Sequence, residues 1–138
     1  MNRHPFHDHP IAELARERIV VLDGAMGTEI QSLGLSDDAF RGDRFCNHGC
    51  DLAGNNELLT LTQPDAMRSI HLRYLLAGAD IVETNTFSAN RVSQGDYDTV
   101  GQVVELNEIA ARLAREAAEE AEGIDGRRRF VAGAVGPT

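Results

Sequence analysis

Three short apolar runs without polar alternation stand out along the chain, and each ends in polar or glycine residues. They predict strands near 18–23 ("RIVVLD"), 79–84 ("ADIVET") and 130–135 ("FVAGAV"). A β-branched run without alternation is typical of a strand in a parallel sheet, where both faces are covered.

Helical periodicity fills the intervals between these runs. The pattern predicts a short helix over 11–17, a helical stretch from Thr28 to about Gly34, a helix from Pro64 to about Gly78 and a long helix over about 99–122. The long helix has an apolar stripe formed by Leu106, Ile109, Leu113 and Ala117. Residues 35–63 are irregular and polar but keep several large apolar side chains, so we expect an ordered, packed loop.

The order of elements is therefore β-α-β-α-β, which indicates an α/β fold with a parallel sheet. A three-stranded parallel sheet leaves unpaired edges, and a complete (β/α)8 barrel needs about 250 residues. We therefore expect a tail and short helix over 1–17, followed over 18–138 by the front part of a larger domain that is truncated at its C-terminal side.

Composition narrows the function classes. The chain has 138 residues and a formal net charge of −9, from 13 Lys and Arg against 22 Asp and Glu, so nucleic-acid binding is disfavoured. No apolar stretch approaches the roughly 20 residues that span a membrane, and the N-terminus lacks the apolar region of a secretory signal. With two cysteines only, a disulfide framework is not expected, and the sequence indicates a reduced, cytoplasmic protein.

Polar side chains follow the first two predicted strands where sites form in parallel α/β folds. Asp23 ends the first predicted strand, in "LDGAMGT", and could hold a cationic group such as a substrate ammonium or could cap the following helix. The stretch "ETNTF" (Glu83, Thr84, Asn85, Thr86, Phe87) could hold a carboxylate and wall an apolar side chain, or could be ordinary turn chemistry.

The segment "CNHGC" contains three metal-ligand types, at Cys46, His48 and Cys50. Zinc usually takes four ligands in paired sets, and no second pair follows, so ordinary loop thiols are the favoured interpretation. His71, on the predicted helix that starts at Pro64, is interpreted as structural.

Five stretches together resemble a known family. "VLDGAMGTEIQ", "FRGDRF", "CDLAGNNELL", "GADIVETNTFSAN" and "VAGAVGPT" are similar to the opening of the homocysteine-binding module of cobalamin-dependent methionine synthases, in order and over about residues 19–138. The "DG-MGT" and "ETNTF" motifs are shared among homocysteine S-methyltransferases in general. "FRGDRF" followed by "CDLAGNN" points to the cobalamin-dependent enzymes.

The resemblance implies a (β/α)8 TIM barrel, of which this chain carries the first three βα units, with homocysteine bound at its mouth. It implies that Asp23 holds the substrate ammonium beside the backbone of Gly24 and Ala25. It also implies that the second strand end contributes Thr84 and Phe87, with Glu83 and Asn85 close by.

In this family three cysteines that lie late in the barrel, beyond residue 138, hold a zinc ion, and the role does not transfer to Cys46 or Cys50. The resemblance thus implies no metal ligand and no catalytic residue within this chain. It implies zinc and methylcobalamin as cofactors of the complete enzyme, neither bound by this chain alone. The folate and cobalamin modules would also lie further on.

The expected function is methyl transfer from methylcobalamin, recharged by 5-methyltetrahydrofolate, to homocysteine thiolate. Because a free thiol with a pKa near 8.5 is mostly protonated at neutral pH, the chain without the zinc ligands is expected to be inactive alone. Two alternatives are a stand-alone homocysteine methyltransferase with a small methyl donor, and a non-catalytic, truncated binding protein that holds metal through Cys46, His48 and Cys50.

Overall fold

The computed structural model describes residues 9–137, so most of the predicted N-terminal tail, and Thr138, lie outside the described residues. The helices are α1 (Pro10–Glu17), α2 (Met26–Ser32), α3 (Asp37–Arg41), α4 (Leu59–Thr62), α5 (Pro64–Leu76), α6 (Arg91–Gly95) and α7 (Val103–Asp125). Short 3-10 turns precede α4 (Asn56–Leu58) and α7 (Val100–Gln102), and the strands are β1 (Ile81–Glu83) and β2 (Phe130–Ala132). The mixed α/β class is confirmed.

The two strands form a parallel pair in which Val82 lies beside Val131. Both lie within the predicted strands near 79–84 and 130–135 but are shorter than predicted. Val82 is fully buried, and α7 packs against both α5 and β2. The chain between β1 and β2 is thus the helical crossover that a parallel connection requires.

The first predicted strand, 18–23, is corrected by the structure. Only Leu22 makes a bridge, in parallel with Ile81, and the Asp23 amide donates to the Ile81 carbonyl at 2.9 Å. Ile19 is 85% exposed and Leu22 48% exposed, so the expected burial is wrong for this segment. The physical reason is that the segment pairs on one side with β1, while no other strand among the described residues pairs with its second side.

Residues 35–63 are ordered and packed, as expected, although they are less irregular than predicted because they contain α3 and α4. Phe40, Phe45 and Leu52 are buried in one apolar cluster with side chains from α2, α4, α5 and α7. Helix α3 begins after Ser36, with two aspartates in its first turn, which favours its positive end. The Asn55 side chain accepts from the Leu58 amide and so starts the next turn.

Helix α7 packs through small side chains. Its alanines at positions 110, 114, 117, 118 and 121 are all buried, and Leu106 and Leu113 of the predicted stripe are buried with them. The helix runs to Asp125 and ends at Gly126, whose φ of 71° is a left-handed conformation that glycine adopts without strain. None of the helices in residues 9–137 combines the length and the apolar character that crossing a membrane requires.

Asp80 connects three segments just before β1. Its fully buried carboxylate accepts two hydrogen bonds from Arg18, at 2.5 and 2.7 Å, and one from Arg127 at 3.1 Å. It also accepts from the Val21 amide at 2.9 Å. The Arg127–Arg129 run lies at the junction between α7 and β2, where Arg129 is buried and donates to the Leu75 carbonyl.

His71 is buried on α5, as its structural interpretation requires, and its Nδ1 has no hydrogen-bond partner. Burial lowers the pKa of His71 to about 4. Because its folded-state pKa lies below that of the unfolded chain, the unfolded state binds more protons at mildly acidic pH, and stability falls as pH falls.

We predict that acidification from about pH 7 to about pH 5.5 lowers the free energy of unfolding of the native chain by about 1 kcal/mol more than that of His71→Leu. Leucine keeps the buried volume and removes the unpartnered nitrogen. Urea unfolding at both pH values measures this difference, and since Asp23 is present in both proteins its own titration cancels. Equal pH dependence in the two proteins contradicts the prediction.

Candidate functional site

A cleft of about 300 Å3 lies where the 21–23 segment, β1 and β2 end. All seven residues predicted for the site line it, and three others join them: Asp23, Gly24, Ala25, Met26, Glu83, Thr84, Asn85, Thr86, Phe87 and Ala134. The topology therefore brings together the two strand ends that the sequence analysis singled out. Met26 and Ala134 were missed as lining residues, since nothing but their position beside a strand end marks them.

Asp23 does not cap the following helix, so that alternative is wrong. Helix α2 begins at Met26, its cap position is Ala25, and no side chain caps it. Both carboxylate oxygens of Asp23 instead accept from the Glu83 amide, at 3.1 Å each. This hydrogen bond ties the first strand end to the second and fixes the carboxylate at the cleft.

Burial has the largest effect on the electrostatics of Asp23. Burial raises the pKa of Asp23 to about 6, the Glu83 amide opposes the rise, and the nearby Glu83 carboxylate adds to it. Glu83 is exposed and lines the same cleft. The two carboxylates therefore repel each other in the same cleft, and a bound cationic group would offset this repulsion.

The Thr84 hydroxyl is engaged in hydrogen bonds to other residues of the protein. Thr86 Oγ1 donates to the Ala134 carbonyl at 2.8 Å, so its single proton is committed there. The Thr84 hydroxyl must then donate to Thr86 Oγ1, 2.6 Å away, while it accepts from the Ala134 amide at 3.1 Å. The two threonines thus lock the end of β1 to the segment after β2.

Asn85 also bonds inward. Its amide nitrogen donates to the Asn56 carbonyl at 2.8 Å, in the "CDLAGNNELL" stretch of the sequence. That stretch supports the loop after β1 through two contacts. The side-chain amide of Asn55 donates to that of Gln94 at 2.9 Å and accepts from it at 3.1 Å. The Glu57 carboxylate accepts from the Ser88 backbone amide. The sequence contains no periodic signal that could have revealed this support.

Phe87 forms the apolar wall of the cleft and is 58% exposed. Its carbonyl accepts from the Gly136 amide at 3.0 Å. A Cβ at position 136 would lie 2.3 Å from that carbonyl oxygen, closer than atoms approach one another without bonding. Gly136 is therefore the residue that allows the two loops at the cleft to meet.

We predict that Gly136→Ala destabilises the chain by at least about 1 kcal/mol, since the obstructing atoms are backbone and must move. Gly133→Ala is the matched control, because a Cβ there meets nothing within 4 Å. Urea unfolding of the two variants checks the difference. An unfolding free energy of Gly136→Ala equal to that of Gly133→Ala would contradict the close approach.

A larger groove, of about 790 Å3, runs beside β2 and is lined by side chains that include Arg115, Arg128 and Phe130. It runs along the length of β2 and shares no residue with the smaller cleft, which gathers the residues that end or follow the strands, where sites of parallel α/β proteins form. We therefore assign the smaller cleft as the candidate site.

The residue types around the cleft do not fit a thiolate-bound zinc ion, because its lining contains neither cysteine nor histidine. Of the "CNHGC" residues, His48 and Cys50 lie close together with Asp98, whereas Cys46 is exposed and is not one of this group. The three ligands proposed from the sequence, Cys46, His48 and Cys50, are thus not brought together as one set.

The chain is similar to proteins of one enzyme family, both in sequence and in structure. A family model described as homocysteine S-methyltransferase matches residues 20–138. The chain is similar to the homocysteine methyltransferase MmuM of Escherichia coli in its metallated form, with 27% identity and a TM-score of 0.68, and in its oxidised form, with 28% identity and a TM-score of 0.69. In both comparisons 94% of this chain is covered, against 42% and 41% of the solved chains, so this chain spans about two fifths of their length.

Proposed function

Because this chain belongs to the homocysteine S-methyltransferase family, we propose that its cleft at the strand ends holds homocysteine for methyl transfer to the substrate sulfur. The observation that carries this proposal is the pair of carboxyl groups, Asp23 and Glu83, at one edge of the cleft. A free amino acid brings an ammonium group to such a site, and a charge-assisted hydrogen bond to a carboxylate is among the strong ones.

The cleft is also lined by small and apolar residues, which suit the methylene and sulfur groups of homocysteine. Gly24 and Ala25 carry little or no side chain, so a ligand can approach their backbone. Phe87 and Met26 offer apolar and polarisable surface for the methylene and sulfur groups of homocysteine. The Phe87 ring is 58% exposed, so its face is accessible to a ligand in the cleft.

Thr84 and Asn85 have a different role in this proposal. Since their side chains are committed to internal hydrogen bonds, we assign them to positioning the strand end rather than to gripping the substrate. Asp23 is the group that contacts the substrate, because its carboxylate can accept from an ammonium while it accepts from the Glu83 amide.

For the methyl donor, we propose methylcobalamin, recharged by 5-methyltetrahydrofolate, with the chain as the homocysteine-binding part of a cytoplasmic methionine synthase and of a (β/α)8 barrel. The support is the resemblance carried by "FRGDRF" and "CDLAGNN", and the free state of Cys46 and Cys50 suits a reduced compartment. In that enzyme a bound zinc ion, held by residues other than those that line this cleft, would supply the thiolate. The alternative donor is a small methylated compound used by a stand-alone enzyme.

We predict that the isolated chain binds homocysteine weakly but transfers no methyl group to it, because the lining of the cleft has no cysteine or histidine to hold a metal that ionises the thiol. The assay measures methionine formed from homocysteine with methylcobalamin, or with a small sulfonium donor, with and without added zinc. Methionine above the zinc-free control would overturn the inactive assignment. Turnover with the small donor alone would favour the stand-alone alternative.

A further inference from the structure

His48, Cys50 and Asp98 lie together in a group that shares no residue with the lining of the cleft. One ligand atom from each, an imidazole nitrogen, a thiol sulfur and a carboxylate oxygen, lies within 4.8 Å of the other two. We propose that these three side chains form a zinc-binding site that joins the turn at 48–50 to the loop after α6.

The surroundings of His48 prepare it as a ligand. Its Nε2 lies 2.7 Å from the carbonyl oxygen of Tyr97, and a carbonyl can only accept, so Nε2 carries the proton. In the tautomer with this proton on Nε2, the lone pair that binds a metal is on the other nitrogen, Nδ1. A histidine that binds a metal through one ring nitrogen almost always donates from the other to a carbonyl or carboxylate, which fixes its tautomer and orientation.

The turn that carries His48 and Cys50 is held in place from behind. The Arg41 guanidinium donates to the His48 carbonyl at 2.8 Å and to the Cys50 carbonyl at 2.9 Å. Because backbone carbonyls accept these bonds, both side chains remain available, and each is only partly buried. The turn is therefore shaped before a metal arrives, which reduces the ordering that binding requires.

The donor set indicates which metal fits. A thiolate and an imidazole together suit zinc, and a carboxylate oxygen is its third common ligand type. Thiolate and carboxylate supply two negative charges, which match the ion and outweigh the single charge of Arg41 nearby. Three protein ligands leave one tetrahedral position for water.

Cobalt(II) is the probe, because its bond to a thiolate gives a charge-transfer absorption that histidine and carboxylate ligands cannot produce. It is titrated into the reduced, full 138-residue chain in which the tail histidines His4, His7 and His9 are replaced by glutamine, so that the tail cannot contribute. We expect one equivalent of cobalt to give the thiolate band, and zinc to displace it.

Matched variants locate the ligands. Cys50→Ser should abolish the thiolate band. Asp98→Asn should weaken cobalt binding by at least about 10-fold. Asparagine is chosen because it tolerates the positive φ of 54° at this exposed position. Cys46→Ser and Asp43→Asn, changes at exposed positions of the same region, should leave the band intact. Circular dichroism confirms that each variant is folded. The proposal is overturned if no thiolate band forms, or if the band survives Cys50→Ser and is lost in Cys46→Ser.

Discussion

Replacing Asp23 with asparagine weakens homocysteine binding by roughly 30-fold, or about 2 kcal/mol, which is the usual contribution of a hydrogen bond to a charged group. Asparagine keeps an oxygen that can accept from the Glu83 amide, so the link between the strand ends survives and only the charge is lost. The measurement is a titration with homocysteine followed by amide shifts in NMR spectra. Asp96→Asn, an exposed aspartate at the end of α6, is the control and should bind as the native chain does.

The same carboxylate makes binding depend on pH. With the pKa of Asp23 raised to about 6, the group is mostly ionised near pH 7 and mostly protonated near pH 5. The affinity for homocysteine should therefore fall by about tenfold between these values, because the substrate ammonium stays charged throughout this range. Asp23→Asn should show no such fall. An equal pH dependence in the variant would mean that another group holds the ammonium.

Replacing Asp80 with alanine lowers the free energy of unfolding by about 3 kcal/mol, the lower end of the cost of breaking a buried ion pair. The lower end applies because Arg18 and Arg127 keep 40% and 45% of their side chains exposed and can turn to water. The Val21 amide loses its acceptor as well. Thermal or urea unfolding measures the loss, and Asp96→Ala should change the free energy by less than about 0.5 kcal/mol.

The charge of Asp80 also sets the pH range of this contribution. The hydrogen bond from Arg18 is the main cause that lowers the pKa of Asp80 to about 2. Because the folded-state pKa lies below that of the unfolded chain, the stabilisation is present above about pH 4 and is lost as pH falls through 2. The difference between the native chain and Asp80→Ala should thus be constant from pH 5 to pH 8. A difference that disappears within that range would contradict the ion-pair account.

The sequence pattern predicts the cleft because a parallel sheet brings carboxyl ends of strands to one edge. Asp23 and Glu83 are 60 positions apart and still meet, since the segment at 21–23 pairs with β1. The direction in which each side chain points is not contained in that rule. Thr84 and Asn85 follow the same strand as Glu83, yet their polar groups bond to Ala134 and Asn56 rather than facing a ligand.

Features set by contacts between distant segments could not be predicted. The "CNHGC" pattern indicates Cys46, His48 and Cys50 as a set, whereas the fold replaces the exposed Cys46 with Asp98, from a loop that lies about fifty positions further along the chain. The exposed apolar run at 19–22 fails the prediction for a similar reason. Its sequence is that of a strand covered on both faces, and burial depends on what packs against it rather than on the run itself.

The central claim is that homocysteine binds at the cleft between the two strand ends. Amide chemical-shift mapping of the 138-residue chain during a homocysteine titration tests it most directly. The account predicts saturable shifts concentrated at residues 23–26, 83–87 and 134, and a roughly 30-fold higher homocysteine concentration to reach them in Asp23→Asn. Shifts concentrated along β2 and residues 126–129 of the larger groove, or no saturable shift at all, would contradict it.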